Sequence, residues 1–162
     1  MKYYVTADTH LGHDKVLEFE KDRKGFNSCL KWLKMIKKDD VLIHLGDVVF
    51  GDINYWFDMY RSLCRGKLVI VRGNHDKSYS WFYDRGADFV SESFELYRFG
   101  ELIKFTHRPI IANTFINIHG HMHRQLSHHD YSFYNKNNIL VTTENDCAPV
   151  SLEKLIRRRI NE

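Results

Sequence analysis

Five short blocks of this chain carry the side chains that bind divalent ions. They are Asp8-Thr9-His10, Gly46-Asp47, Gly73-Asn74-His75-Asp76, Thr106-His107 and Gly120-His121-Met122-His123. Carboxylate, imidazole and amide groups are the ligands of hard and borderline cations. A single Asp or His marks only a turn or a satisfied loop position. Five blocks, each placed where a strand should end, offer enough ligands for two ions that share one carboxylate. The pattern reads as a two-metal hydrolase.

Each block has its own logic. Asp8 and His10, at a strand end where the backbone changes direction, can grip one ion. Gly46 lets the backbone approach the metals closely, and the two oxygens of Asp47 can bridge two cations. Asn74 offers a neutral amide oxygen, and His75 beside it can reach substrate instead of metal. Asp76 is expected to orient the His75 ring, as carboxylates commonly do. His107 follows a strand and precedes Arg108, which is close enough in sequence to touch a phosphate. His121 and His123 flank Met122, so a turn there can send the two rings to different ions. His13, in Leu11-Gly12-His13, is a further catalytic or substrate-facing candidate. His119 is expected to point away as part of its strand, and His128 and His129 to sit in a polar loop.

These blocks need strands to position them. Residues 3–7, 41–45 and 67–72 are β-rich or apolar runs that end at Asp8, Gly46-Asp47 and Gly73-Asn74. A helix is expected from Asp14. A second, capped by Asn27 or Ser28, would bury Leu30, Leu33 and Ile36 with Trp32 alongside. A third covers Tyr55 to Cys64. This β-α-β-α-β half gathers Asp8, Asp47 and Asn74 at the carboxyl ends of the strands, where open α/β sheets bind ligands. Beyond it, Phe94–Phe99 and Glu101–Thr106 read as a hairpin around Gly100. Further strands are expected over Phe115–Ile118 and Ile139–Thr143, and a closing helix over Ser151–Ile160.

The bulk composition sets bounds. The 162 residues read as one domain over 1–162, without a cap domain, and 43% hydrophobic content suits a packed core. No apolar run approaches the roughly 20 residues of a membrane span, and the first eight residues read as a strand rather than a leader. Three widely spaced cysteines, Cys29, Cys64 and Cys147, suggest free thiols and a cytoplasmic setting. The formal charge is only +3, and Arg157-Arg158-Arg159 reads as a solvated helix face, so no strong nucleic-acid stripe is present. The sequence leaves monomer and homodimer both open.

In this order the blocks resemble the calcineurin-like metallophosphoesterase family, whose pattern is D-x-H, G-D, G-N-H-[DE], H and G-H-x-H. The match spans about residues 3 to 124, and Ala148–Glu153 also looks like the end of small single-domain bacterial and phage members. The resemblance implies an α/β fold, a β-sandwich of two mixed sheets flanked by helices in four layers, α/β/β/α. It implies one ion held by Asp8, His10, Asp47 and His123, and a second held by Asp47, Asn74, His107 and His121. His75 would be the catalytic histidine, with Asn74, His75 and Arg108 meeting substrate.

Such a site works by activating a bridging hydroxide and clamping the phosphoryl oxygens, with His75 protonating the leaving group. His/Asp/Asn sites accept several first-row ions, so the donors do not select the metal; two Mn²⁺ ions are the leading expectation, with Fe, Zn or Ni as alternatives. One departure stands out. Many relatives extend the second block to G-D-x-x-D, whose second Asp orients the catalytic histidine; here that position is Phe50. The leading reading is a phosphodiesterase or phosphatase for a small nucleotide-like ester. A nuclease acting on DNA or RNA ends is the alternative, since Asp8-Thr9-His10-Leu11-Gly12 resembles the start of exonuclease relatives. A non-catalytic protein-binding scaffold is the third reading, although such members typically lose ligands that are all present here.

Overall fold

The computed structural model describes residues 1–19, 23, 25–123, 133–142 and 148–160. In chain order the elements are β1 (Tyr3–Thr6), α1 (Asp14–Phe19), α2 (Phe26–Leu33), β2 (Val41–His44), α3 (Ile53–Leu63), β3 (Lys67–Val71), α4 (Tyr79–Asp84) and β4 (Phe89–Ser91). There follow β5 (Ser93–Arg98), β6 (Glu101–Thr106), β7 (Ile116–His119), β8 (Asn138–Leu140), β9 (Val150–Ser151) and α5 (Leu152–Ile160).

Two mixed sheets form from these strands. The first has the order β4-β3-β2-β1-β9, parallel from β4 to β1, with β9 antiparallel on β1. The second has the order β5-β6-β7-β8, in which β5 and β6 are antiparallel and β6, β7 and β8 run parallel. The β5–β6 hairpin turns at Phe99-Gly100, both at positive φ (56° and 81°). Two such residues match the right-handed twist of the flanking strands, so the expected hairpin around Gly100 forms with Arg98 opposite Glu101.

Side chains alternate across the first sheet and so divide the apolar residues into two cores. Tyr4, Leu42, Leu68 and Ile70 face the helices, packing with Leu30 and Leu33 of α2, Phe57 and Tyr60 of α3 and Phe82 of α4. Val5, Ile43 and Val71 face the second sheet, meeting Ile103 and Phe105 of β6 and Ile116 and Ile118 of β7. Leu152 and Ile156 of α5 seal that inter-sheet core beside β1 and β9. Each fully buried Leu, Ile or Phe contributes about 1.5–3 kcal/mol.

Several local expectations are corrected. α2 starts at Phe26 with Gly25 as its N-cap and no side-chain cap bond, so Asn27 and Ser28 lie inside the first turn rather than capping it. Ile36 is fully buried although α2 ends before it. α3 begins at Ile53 because the Asp52 carboxylate accepts from Tyr55 N at 3.1 Å, the usual capping geometry. Cys29 is disulfide-bonded, while Cys64 is a buried free thiol. That removes the thiol-based reason for placing the chain in a reducing compartment. Among the described residues no helix is long and apolar enough to cross a membrane. Cys147, His128, His129 and Thr143 lie outside the described residues.

Candidate metal centre

Past their last paired residues, β1 and β2 stay zipped together. Asp8 N donates to Gly46 O, His10 N to Asp47 O, Leu11 N to Val48 O and Phe50 N to Leu11 O, at 2.7–3.1 Å. This extension is not a regular strand, because Asp8, His10 and Asp47 take φ of 49°, 46° and 55°. His121 and His123 do the same at 68° and 46°. Only one other described non-glycine residue, Phe99 in its hairpin turn, has positive φ. Left-handed backbone is costly for residues with a Cβ and concentrates at functional sites. Here it turns Asp8 and His10 toward one cluster of donors and sends His121 and His123 to different ones.

The donors gather in two clusters. Asp8, His10 and His123 bring ligand atoms within 4.8 Å of one another, and Asp47, His107 and His121 do the same. His10 Nε2 lies 3.3 Å from His123 Nε2. His107 Nε2 lies 3.1 Å from His121 Nδ1, 2.9 Å from Asn74 Oδ1 and 3.6 Å from Asp47 Oδ2. Asn74 thus adds its amide oxygen to the second cluster. The clusters adjoin: the Asp47 charge is felt at Asp8, and the His123 ring at Asp47.

Burial sets the electrostatics. Desolvation pushes the Asp8 carboxyl up to about 8, against the lowering effects of His123 and of the His121 N–H. Desolvation also raises Asp47, opposed first by the N–H of His75. It holds His10 down to about 2 and His121 to about 4, with the neighbouring imidazoles His123 and His107 adding to these shifts. His107 is lowered for the same reason. Buried carboxylates beside neutral imidazoles and an amide oxygen form a donor set suited to a divalent cation, whose charge would reverse the penalty on ionised Asp8 and Asp47.

Three glycines make the approach close enough. A Cβ on Gly73 would strike the Asp47 carboxylate, one on Gly120 the Asp8 carboxylate, and one on Gly46 both Gly73 and the His107 ring.

Asp76 has a different task from the one expected. Its carboxylate accepts from Asp47 N (2.8 Å), Val48 N (3.0 Å) and Gly73 N (2.8 Å). It therefore staples the turn after β2 to the turn after β3, and among the described residues no hydrogen bond joins it to the His75 ring. His75 is exposed, and its backbone N–H donates to Asp47 Oδ1 at 3.0 Å. Its ring lies against Phe50, with centroids 5.1 Å apart. Phe50 also packs against His10 at 5.0 Å and His13 at 4.7 Å. The residue at the departed Asp position is thus an aromatic hub for three histidines. Arg108 is exposed, and its charge is among those lowering His107 and His121. His119 faces away, with Nδ1 2.9 Å from Gly120 O and Nε2 3.3 Å from the Tyr134 hydroxyl.

Two buried polar groups behind the site carry no signal in the sequence reading. Arg23 is buried, and its guanidinium donates to the carbonyls of Asp8 (3.0 Å) and Thr9 (3.2 Å), holding the first loop. His44 is fully buried in the apolar run Val41–Leu45. Gly46 N donates to its Nδ1 at 3.2 Å, while the Thr9 hydroxyl donates to Val48 O and lies 2.9 Å from His44 Nε2. The His44 proton therefore sits on Nε2, and the chain Gly46–His44–Thr9–Val48 ties the first two blocks together.

The comparisons agree with this fold. The chain is 26% identical over 170 residues to "Uncharacterized protein MJ1445" of Methanocaldococcus jannaschii, covering 96% of this chain and 90% of that protein. Its fold is similar to the crystal structure of AQ665 from Aquifex aeolicus, titled a protein of unknown function, with a TM-score of 0.75 at 22% identity. That likeness covers 97% of this chain and 98% of the other. The family model of calcineurin-like phosphoesterases matches residues 1–158. With two adjoining His/Asp clusters at the strand ends of a two-sheet α/β fold, the chain belongs to the calcineurin-like phosphoesterase family.

Proposed function

We propose that the protein is a metal-dependent phosphoesterase acting on small nucleotide-like phosphate esters, diesters foremost. The observation that carries this reading is the meeting of the two ligand clusters beside an exposed His75 whose backbone is tethered to Asp47. Asp8, His10 and His123 would hold one ion, and Asn74, His107 and His121 the other, with Asp47 shared. Two divalent ions, Mn²⁺ first among them, supply Lewis acidity and an activated water when bound.

The chain's own residues do the rest. His75 hands a proton to the departing ester oxygen; its exposure lets the ring reach substrate, and the Phe50 face limits where it swings. Arg108 lies open to solvent beside the second cluster and balances charge on the non-bridging phosphoryl oxygens. His13, packed on Phe50, contacts the leaving group. Asp76 acts through the backbone by keeping Asp47 and Gly73 in register.

The test is a metal titration with bis-p-nitrophenyl phosphate and p-nitrophenyl phosphate as substrates. Diester turnover that depends on Mn²⁺ and collapses in His75→Ala supports the reading. No turnover of either ester with Mn²⁺, Fe²⁺, Zn²⁺ or Ni²⁺ sinks it and leaves a binding scaffold. Comparable degradation of single-stranded DNA or RNA replaces the small substrate with a polynucleotide.

A further inference from the structure

On the side of the second cluster lies an open cavity of about 450 Å³ whose wall includes Asn74 and His107 themselves. That volume falls within the roughly 300–1,000 Å³ range of cavities that seat small ligands. Three cationic side chains from separate segments line it: Arg72 at the end of β3, Lys104 on β6 and Arg108 just after β6. Among the described residues, the one carboxylate on the wall is Glu92. We propose that this cavity is a subsite for a second anionic group of the substrate, so that the preferred ester carries a further phosphate beyond the one at the metals. This deepens, and rests on, the phosphoesterase reading above.

The cations are arranged to receive an anion. Arg72 is held by the Lys77 carbonyl (2.8 Å) and by the Tyr79 ring, 4.9 Å beneath its guanidinium, and pairs with the exposed Glu92 (2.7 Å), which also accepts from the Tyr79 hydroxyl (2.6 Å). Lys104 Nζ meets Glu95 at 3.1 Å, and that partner is half exposed and outside the cavity wall. Exposed pairs of this kind hold weakly, so a phosphate can take the place of either carboxylate. Guanidinium groups match phosphate oxygens in paired, charge-assisted hydrogen bonds. Because Asn74 and His107 belong to both spaces, an ester bound beside the second cluster would lie within reach of the cavity's cations.

Binding calorimetry on the Mn²⁺-loaded protein tests this. The ligands are thymidine 3′,5′-bisphosphate and the two corresponding monophosphates. The bisphosphate is expected to bind at least about tenfold more tightly than the better monophosphate. In the double variant Arg72→Gln, Lys104→Gln that advantage should shrink to about twofold or less. Glu92→Gln, which removes the lining carboxylate, should enlarge it; a mere loss of folding cannot move the two variants in opposite directions. Equal binding of bisphosphate and monophosphate by the wild type, or an advantage that survives the double variant, overturns the subsite. Turnover of bis-p-nitrophenyl phosphate is measured on the same wild-type preparation. Turnover without a bisphosphate advantage discards the subsite alone, and a bisphosphate advantage without turnover discards the hydrolase reading alone.

Discussion

The backbone N–H of His75 donates to Asp47 Oδ1 at 3.0 Å, so the proposed proton donor is anchored to the proposed shared ligand. The side chain of one and the main chain of the other form a single unit. Their substitutions should separate accordingly. His75→Ala leaves the anchor and the ligand sets intact. It should lower kcat by about 10²- to 10⁴-fold with unchanged bound metal by elemental analysis. Asp47→Asn should lose metal as well as activity. Loss of metal in His75→Ala would contradict this division.

Phe50 touches the rings of His10, His13 and His75. Phe50→Ala opens the space between them and frees the His75 ring to rotate. Activity should fall by about tenfold or more, mainly in kcat, since misplacing a reacting group by about 1 Å can cost about 10²-fold. Metal content should stay at the wild-type level. A variant with unchanged kcat would show that Phe50 is only filler.

Metal uptake should release protons. In the metal-free chain burial pushes Asp8 up to about 8, so below that pH an incoming cation must displace its proton. Affinity should rise with pH and level off near 8. Mn²⁺ titration calorimetry in buffers of different ionisation enthalpy reads the released protons directly. A pH-independent affinity between 6 and 8 would rule out a protonated Asp8 in the free state.

His44 governs acid stability in the opposite sense. Burial, with His107 adding to it, holds its folded pKa to about 3 against an ordinary 6.5. Between those values the unfolded chain takes up a proton that the folded chain refuses. The contribution is full above about pH 6.5 and is lost as pH falls toward about 3. His44→Leu should destabilise the protein by about 1–3 kcal/mol at neutral pH, because Gly46 N–H and the Thr9 hydroxyl lose their partner. Its stability should then decline less steeply over the acid range than that of the wild type, as thermal melts across pH would register.

The parts legible in the sequence are those written in local pattern. The apolar runs ending at Asp8, Gly46 and Gly73 became β1, β2 and β3, and the alternation around Gly100 became the β5–β6 hairpin. The blocks named as ligands do converge, because strand ends of the two facing sheets meet at the same two clusters. What escaped depends on tertiary contacts. β4 and β9 are three and two residues long and α4 only six, too short to show a period. Asp76 sits beside His75 in sequence, yet its carboxylate is claimed by backbone donors from another loop. His44 looks like one polar lapse in an apolar strand, and Arg23 like one charge among several. The disulfide at Cys29 could not be inferred from three scattered cysteines.

The left-handed backbone at Asp8, His10, Asp47, His121 and His123 sets stability against ligation. Each such residue with a Cβ costs on the order of 1 kcal/mol or more relative to a relaxed conformation. Glycine would sit there more comfortably, so replacing a ligand with Gly should yield a sturdier, inert fold. The five positions thus give up backbone ease for donors aimed at the two clusters, and hold the fold uphill of its own stability optimum.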